Sequence, residues 1–105
     1  MTGMIVAGTW RLRIDSPMGK QHVVINLAPP AGAALTGTVL NEQSGLTTEI
    51  LDGRVENEQL FFKVKLRQVK MTLAFTTTID QDTMSGKVKA GLFGSFAVEG
   101  RRESP

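Results

Sequence analysis

The sequence predicts an all-β protein, a closed eight-stranded antiparallel up-and-down β-barrel. Three observations lead to this prediction. Apolar and polar residues alternate along most of the chain, turn-forming residues separate the alternating runs at nearly even intervals, and no window keeps a helical spacing of apolar residues for more than about two turns. Eight strands in an open sheet would expose two long edges, and closure removes both. The alternatives are an open β-sandwich and a five-stranded OB-type barrel.

Turn-forming residues divide the chain into eight predicted strands. Pro29 and Pro30 end the second strand because proline cannot continue a hydrogen-bonded ladder. Asp52-Gly53 is typical of a hairpin turn and is expected to close the fourth strand. Arg67-Gln68 and Asp80-Gln81-Asp82 are expected to reverse the chain later. The predicted strands cover residues 6–14, 21–27, 35–40, 46–50, 60–66, 69–79, 84–88 and 96–98.

Chain length and composition predict one domain over residues 1–105. A chain of 105 residues, 41% of them apolar, can build a single ordinary core without a metal or a disulfide. There is no cysteine, and no apolar stretch approaches the roughly 20 residues that a membrane helix needs. Because an N-terminal apolar run behind positive charge is also missing, we expect a cytoplasmic protein.

The side chains predicted to face inward are almost all apolar. The only tryptophan, Trp10, lies on the inward face of the first strand. Gln21, Thr48 and Thr77 are the few polar members of this set, and no charged residue belongs to it. Such an interior either packs solid or admits an apolar molecule, and an anionic group inside it would need a cation reaching in from the rim.

These inward residues predict non-catalytic binding of a small apolar or aromatic molecule inside the barrel. Gly37 and Gly86 lie inside predicted strands, where a glycine usually marks a sharp bend or a close backbone approach. Because both lack an inward side chain, they are also the places where interior space could open. Methionine side chains would give adaptable walls. The predicted ligand-binding residues are Trp10, Phe62, Met71, Phe75, Met84 and Phe96.

Two other functions use the same residues differently. A shape-selecting cyclase or isomerase would fold a reactive substrate inside the chamber, with Gln21, Thr48 or Thr77 as polar contacts. A solid-core module would instead serve protein interaction or oligomerisation. The outward-facing Val24, Leu40, Leu51 and Phe61 favour self-association, for example as a homodimer.

The composition argues against most catalytic and metal chemistry. Without cysteine, thiolate catalysis and Cys-ligated zinc are excluded. His22 is the only histidine, and the alternation places it on the outer face without a carboxylate to orient it. Asp80 and Asp82, followed by Gly86, are similar to the opening of a calcium loop, but the later acidic ligand is missing. We therefore expect no catalytic residue, no metal and no cofactor.

The charge distribution adds one feature to a net charge of only +2. Outward-facing lysines collect on the predicted fifth, sixth and seventh strands. Nucleic-acid grooves generally add stacking aromatic residues, and only Phe61 lies nearby, so nucleic acid is not expected as a partner. The lysines of this face are Lys63, Lys65, Lys70, Lys87 and Lys89.

Several short motifs resemble a known superfamily. Gly8-Thr9-Trp10, on a first strand that enters an eight-strand meander, resembles the calycins, which include lipocalins, fatty-acid-binding proteins and avidins. The several tryptophans with which avidins bind biotin are missing here, so biotin is not expected. A wider likeness to short bacterial lipocalin-like domains implies the barrel fold and no assigned activity. It covers Ser16-Pro17-Met18-Gly19, Leu35-Thr36-Gly37-Thr38, Asp52-Gly53-Arg54-Val55, and the run from Asp80 to Lys89 followed by Phe93-Gly94.

Overall fold

The computed structural model describes residues 6–16, 19–42, 45–66, 71–91 and 94–103. The predicted reversal at Arg67-Gln68 lies outside these residues, and so does Lys70. Within the described chain there are ten strands. They are β1 (Gly8–Ser16), β2 (Gly19–Leu27), β3 (Ala34–Leu35), β4 (Gly37–Asn41), β5 (Thr47–Glu49), β6 (Leu51–Glu56), β7 (Gln59–Leu66), β8 (Met71–Asp80), β9 (Thr83–Lys89) and β10 (Ser95–Arg102).

All ten strands belong to one antiparallel sheet, in the order β3-β6-β7-β8-β9-β10-β1-β2-β4-β5. The last long strand pairs with the first, from Trp10 opposite Arg102 to Asp15 opposite Ala97. The sheet therefore curls until the two ends of the chain meet. The prediction of an all-β, antiparallel up-and-down fold is confirmed, and the predicted eight strands are corrected to ten.

Short interruptions account for the larger number of strands. Thr36 alone separates β3 from β4, and Ile50 alone separates β5 from β6. The bends coincide with close backbone contacts, because a Cβ on Gly37 would lie 2.2 Å from the carbonyl oxygen of Asn26. Glycine permits this approach where any other residue would force the strands apart.

The pair Asp52-Gly53 lies inside β6 and forms a bulge, so the prediction of a hairpin turn there is wrong. Asp52 has a positive φ of 50°, and the pairing of β6 with β7 shifts register between Leu51 and Arg54. A Cβ on Gly53 would lie 2.2 Å from the carbonyl oxygen of Leu35. The same residue types therefore serve to bend a strand here, as they do in many bulges.

Two tight turns join the neighbouring long strands. Asn57 and Gln81 each adopt left-handed backbone, with φ of 57° and 58°. The first turn joins Glu56 of β6 to Gln59 of β7, and the second joins β8 to β9. The predicted turn at residues 80–82 is confirmed, and the chain reverses at residues 57–58 instead of at 52–53.

The expectation of space beside Gly37 and Gly86 is wrong. A Cβ on Gly86 would lie 2.1 Å from the carbonyl oxygen of Thr76. A Cβ on Gly100 would likewise lie 2.2 Å from the carbonyl oxygen of Arg11. At each position neighbouring backbone occupies the place of the missing side chain, so these glycines mark close strand approach.

The inward-facing residues form one apolar core, and the period-2 alternation correctly predicts its members. Thr77 is the buried polar residue among the described positions. Burial of this apolar surface is the main stabilising term of the fold. The core consists of Val6, Trp10, Leu12, Ile14, Val23, Ile25, Leu27, Leu35, Val39, Ile50, Leu60, Phe62, Val64, Phe75, Ile79, Met84, Val88 and Val98.

The apolar residues predicted to face outward are less exposed than that facing leads one to expect. Val24 is only 8% exposed, and Leu40 is half-buried. Phe61 is also half-buried, with the guanidinium carbon of Arg54 4.5 Å from its ring centroid. Leu51, at 43%, is the one broadly exposed member of the four. The predicted self-association surface is therefore small, and a homodimer stays a prediction.

Candidate ligand-binding site

One end of the curled sheet is closed by Trp10 and its neighbours. The indole nitrogen of Trp10 donates a hydrogen bond to the carbonyl oxygen of Val6 at 3.0 Å. The guanidinium carbon of Arg102 lies 4.3 Å from the Trp10 ring centroid. Arg102 also donates to the carbonyl oxygen of Ala7 and pairs with Asp82 at 3.1 Å. Trp10 is fully buried as a result. We call Val6, Trp10 and Arg102 the sealed end.

At the opposite end, several described inward-facing side chains are less buried than those in the middle of the sheet. This end carries the start of β2, β5, β8 and β10, and the inward side chains of these strands are half-buried there. Val55, near the opposite end of β6, is half-buried in the same way, but only here do three such apolar side chains lie together among the described residues. A group of partly exposed apolar side chains is typical of a surface that binds a ligand. We call this set the mouth, and it consists of Gln21, Thr48, Met71, Leu73 and Phe96.

Two stacked aromatic rings lie between the mouth and the sealed end. Phe62 of β7 and Phe75 of β8 are cross-strand partners, and their ring centroids are 4.8 Å apart with an interplanar angle of 9°. Both rings are buried in the core. The stack gives the interior a flat, rigid apolar floor below Leu73 and Phe96, which pack against the core from the mouth.

The hydroxyl of Thr77 is the polar feature of the interior. Thr77 is 0% exposed, and its Oγ1 has no hydrogen-bond partner. It lies between Leu60 of β7 and Gly86 of β9, two residues along β8 from Phe75. A buried hydroxyl without a partner costs about 1–3 kcal/mol. A ligand that hydrogen-bonds to Thr77 would recover part of this free energy.

The six residues predicted to bind a ligand all face inward but lie at different depths. Trp10 and Met84 lie toward the sealed end and are buried, and Phe62 and Phe75 form the central stack. Met71 and Phe96 lie at the mouth. Sequence alternation gives the facing of each residue but not its depth, because depth depends on where the neighbouring strands begin and end.

Two grooves among the described residues lie on the outside of the sheet. The first, about 490 Å³, runs over Gly100, where β10 packs between β1 and β9. Its cations are largely neutralised: Arg11 lies 3.4 Å from both Glu42 and Glu103, and Arg13 lies 3.6 Å from Glu99. The second, about 520 Å³, lies over β2, β4 and β5. Neither groove is lined by the mouth residues.

The single histidine and the carboxylates do not form a metal site in the described part of the chain. His22 lies at the edge of the first outer groove and is exposed, as the alternation predicts. Among the described residues, no group of three or more His, Asp or Glu side chains is placed to hold a metal ion. The same residues include no helix long and apolar enough to cross a membrane.

The lysines of β7 and β9 face outward on both sides of β8, as predicted. Lys63 and Lys89 are both opposite Ala74, while Lys65 is opposite Thr72. The ammonium of Lys63 lies 3.8 Å from a carboxylate oxygen of Asp52. No ion pair joins Lys65, Lys87 or Lys89 to another described residue.

Comparison with known proteins supports the fold. No family model and no curated protein matches the chain. Among solved structures, the chain is similar to a de novo designed fluorescence-activating β-barrel, with a TM-score of 0.71 and 16% sequence identity. The similarity covers 93% of this chain and 94% of the designed one. At this identity the likeness establishes a β-barrel-like fold and leaves the lipocalin-like family an expectation from the sequence.

Proposed function

We propose that this protein binds a small apolar or aromatic molecule, which enters the barrel through the mouth and is not chemically changed. The observation that carries this proposal is the buried Thr77 hydroxyl, which has no hydrogen-bond partner and lies below the apolar side chains of the mouth. Sites for small molecules combine mostly apolar walls with a few well-placed polar groups, and this arrangement offers both.

The proposed site uses the predicted residues in order of depth. Met71 and Phe96 are the walls, because both are half-buried at the mouth. Phe62 and Phe75 are the floor, and Thr77, two residues farther from the mouth along β8, is the hydrogen-bonding group behind them. A ligand that covers the wet apolar surface gains roughly 25 cal/mol for each Å² removed from water.

Trp10 and Met84 are proposed to form the far wall of the same interior. Both are almost completely buried, so they act by packing against the floor. Met71 has a flexible side chain that can move aside for an incoming ring. The proposed ligand is therefore compact, about the size of one or two aromatic rings, because the side chains below the mouth are already packed.

We propose further that the ten strands form a closed barrel of eight, in which β3 with β4 and β5 with β6 each count as one bent strand. The register supports this. Ala34 of β3 pairs with Arg54 of β6, and Thr38 of β4 pairs with Glu49 of β5. The two bent strands are therefore antiparallel neighbours along their length. Because β1 also pairs with β10, each of the eight strands then has two neighbours. NMR should detect cross-strand contacts from Ala34 to Arg54 and from Thr38 to Glu49 in one sample. Loss of either set would contradict closure.

A fluorescent ligand tests the binding proposal. Phenylnaphthylamine is neutral, aromatic and dark in water, so its emission on titration reports transfer to an apolar site. We expect Phe96→Ala to weaken binding about tenfold, because it removes a wall of the mouth. Phe61→Ala is the matched control, since Phe61 is also a half-buried phenylalanine but lies on the outer face, and it should leave the affinity unchanged.

The position of the ligand can be checked through the methionine methyl groups. With methionine-methyl labelling, we expect the resonance of Met71 to shift on titration more than any other. Equal loss of affinity in the two phenylalanine variants would place the probe on the outer face and contradict the proposal. No binding at all would favour the solid-core interaction module, which the packed interior also fits.

A further inference from the structure

We infer that the natural ligand carries one anionic group, such as a carboxylate or a phosphate, and that Lys65 and Lys89 hold this group at the rim of the mouth. The inference rests on the proposed function and adds the ligand's charge and its orientation. The apolar part lies inside, and the anionic part lies outside, between two strand ends.

The two lysines lie where β7 and β9 reach the mouth. Lys65 is the last residue but one of β7, and Lys89 is the last residue of β9. Between them runs the start of β8, whose inward residues Met71 and Leu73 belong to the mouth. The two ammonium groups therefore flank the entrance on its outer side.

Distances between strands allow both lysines to reach one anion. Neighbouring strands lie about 4.8 Å apart, so β7 and β9 are separated by roughly 10 Å. The outward residues of β8 between them, Thr72 and Ala74, have small side chains that leave room for the lysine stems. Long lysine stems lie along apolar surface while the ammonium stays in water, so both can lean over the rim.

Most of the other described cations are already engaged by carboxylates. Arg11, Arg13, Arg54, Lys63 and Arg102 each have a carboxylate within 4.0 Å. Arg11 and Arg13 line the first outer groove.

Among the described residues, Lys65 and Lys89 have no ion pair of this kind. They are therefore cations beside the mouth whose charge is not already neutralised by a neighbouring side chain.

Charge also favours an anion at the rim over one in the interior. Lys65 and Lys89 lie at strand ends beside the mouth. An anion deep inside would be buried without a charged partner, which is costly, whereas at the rim it keeps water and gains two cations.

Two probes that share one ring system test the inference. Anilinonaphthalene sulfonate is phenylnaphthylamine with one added sulfonate, so the ratio of their affinities isolates the contribution of the anion. We expect the double variant Lys65→Gln with Lys89→Gln to weaken binding of the sulfonate about three- to tenfold at low salt and to leave the neutral probe unaffected. Added salt should reduce this difference.

The matched control removes the preceding outward lysine of each strand: Lys63, which already pairs with Asp52, and Lys87, two residues before Lys89. Lys63→Gln with Lys87→Gln changes the same strands, the same face and the same net charge. If this control lowers the affinity for the sulfonate as much as the rim variant does, the anion binds along the lysine face. The inference is then wrong. Equal affinity of the rim variant and the native protein for the sulfonate also overturns it. If neither probe binds the native protein, the proposed function itself fails.

Discussion

Replacing Thr77 by valine should stabilise the protein. The Thr77 side chain is completely buried, and its Oγ1 has no hydrogen-bond partner. Valine has nearly the same shape, so Thr77→Val creates no cavity and removes only the desolvated hydroxyl. An unsatisfied buried group costs about 1–3 kcal/mol, and we expect the free energy of unfolding to rise by about 1–2 kcal/mol. For a domain of this size that corresponds to roughly 4–12 °C in Tm.

Urea unfolding followed by Trp10 fluorescence measures this change, because Trp10 is the single tryptophan and is buried in the native state. Thr76→Val is the matched control. Thr76 is the preceding residue of β8 and is exposed, so its substitution should change the free energy of unfolding by no more than about 0.5 kcal/mol.

For ligand binding, we expect the opposite effect of the same variant: a loss of affinity instead of a gain of stability. If the Thr77 hydroxyl accepts a hydrogen bond from the amine of phenylnaphthylamine, Thr77→Val should lower the affinity for that probe about three- to tenfold, although the protein becomes more stable. A Thr77→Val protein that is less stable than the native one by 1 kcal/mol or more would refute the reasoning. It would mean that the hydroxyl is satisfied in solution, for example by a buried water.

Two further substitutions test the architecture. Arg102→Gln should lower the free energy of unfolding by about 2–3 kcal/mol, because it removes the cation–π contact with Trp10 and the hydrogen bonds that close the sealed end. Arg101→Gln, at the exposed neighbouring position, should cost less than about 0.5 kcal/mol, and equal losses in urea unfolding would contradict this role of Arg102. Gly86→Ala should cost about 2 kcal/mol or more in the same assay, because its Cβ would lie 2.1 Å from a backbone oxygen. Ser85→Ala, on the exposed face beside it, should be nearly neutral, and a neutral Gly86→Ala would show that the strands do not approach so closely.

The regular long strands were predictable because their signal is local. In β7 and β8, inward apolar residues such as Leu60, Phe62 and Phe75 recur at every second position, with mostly polar residues between them, and each of these three is buried. Alternation identifies the buried face of any strand that packs one face against a core. The facing of His22 and of the lysines follows from the same rule.

The irregular region from β3 to β6 was less predictable, since one residue type serves several backbone roles. Asp52 and Gly53 have the composition of a hairpin turn but form a bulge, and the reversal falls at Asn57. At Gly37, and at Gly86 in β9, the sequence allowed either close backbone approach or an opening in the wall, and the structure shows close contact with a neighbouring strand. In each case the partner backbone, which is distant in sequence, decides the role.

The candidate site divides in the same way. The sequence alone determined that the interior is apolar, that it holds Trp10 and Thr77, and that lysines face outward from two strands. Only the tertiary structure decided that Arg102 covers Trp10 at one end, that Thr77 has no partner, and that the mouth lies beside Lys65 and Lys89. The physical reason is that facing depends on the chain's own period of two, whereas depth, closure and hydrogen bonding depend on which strands come together and where each of them ends.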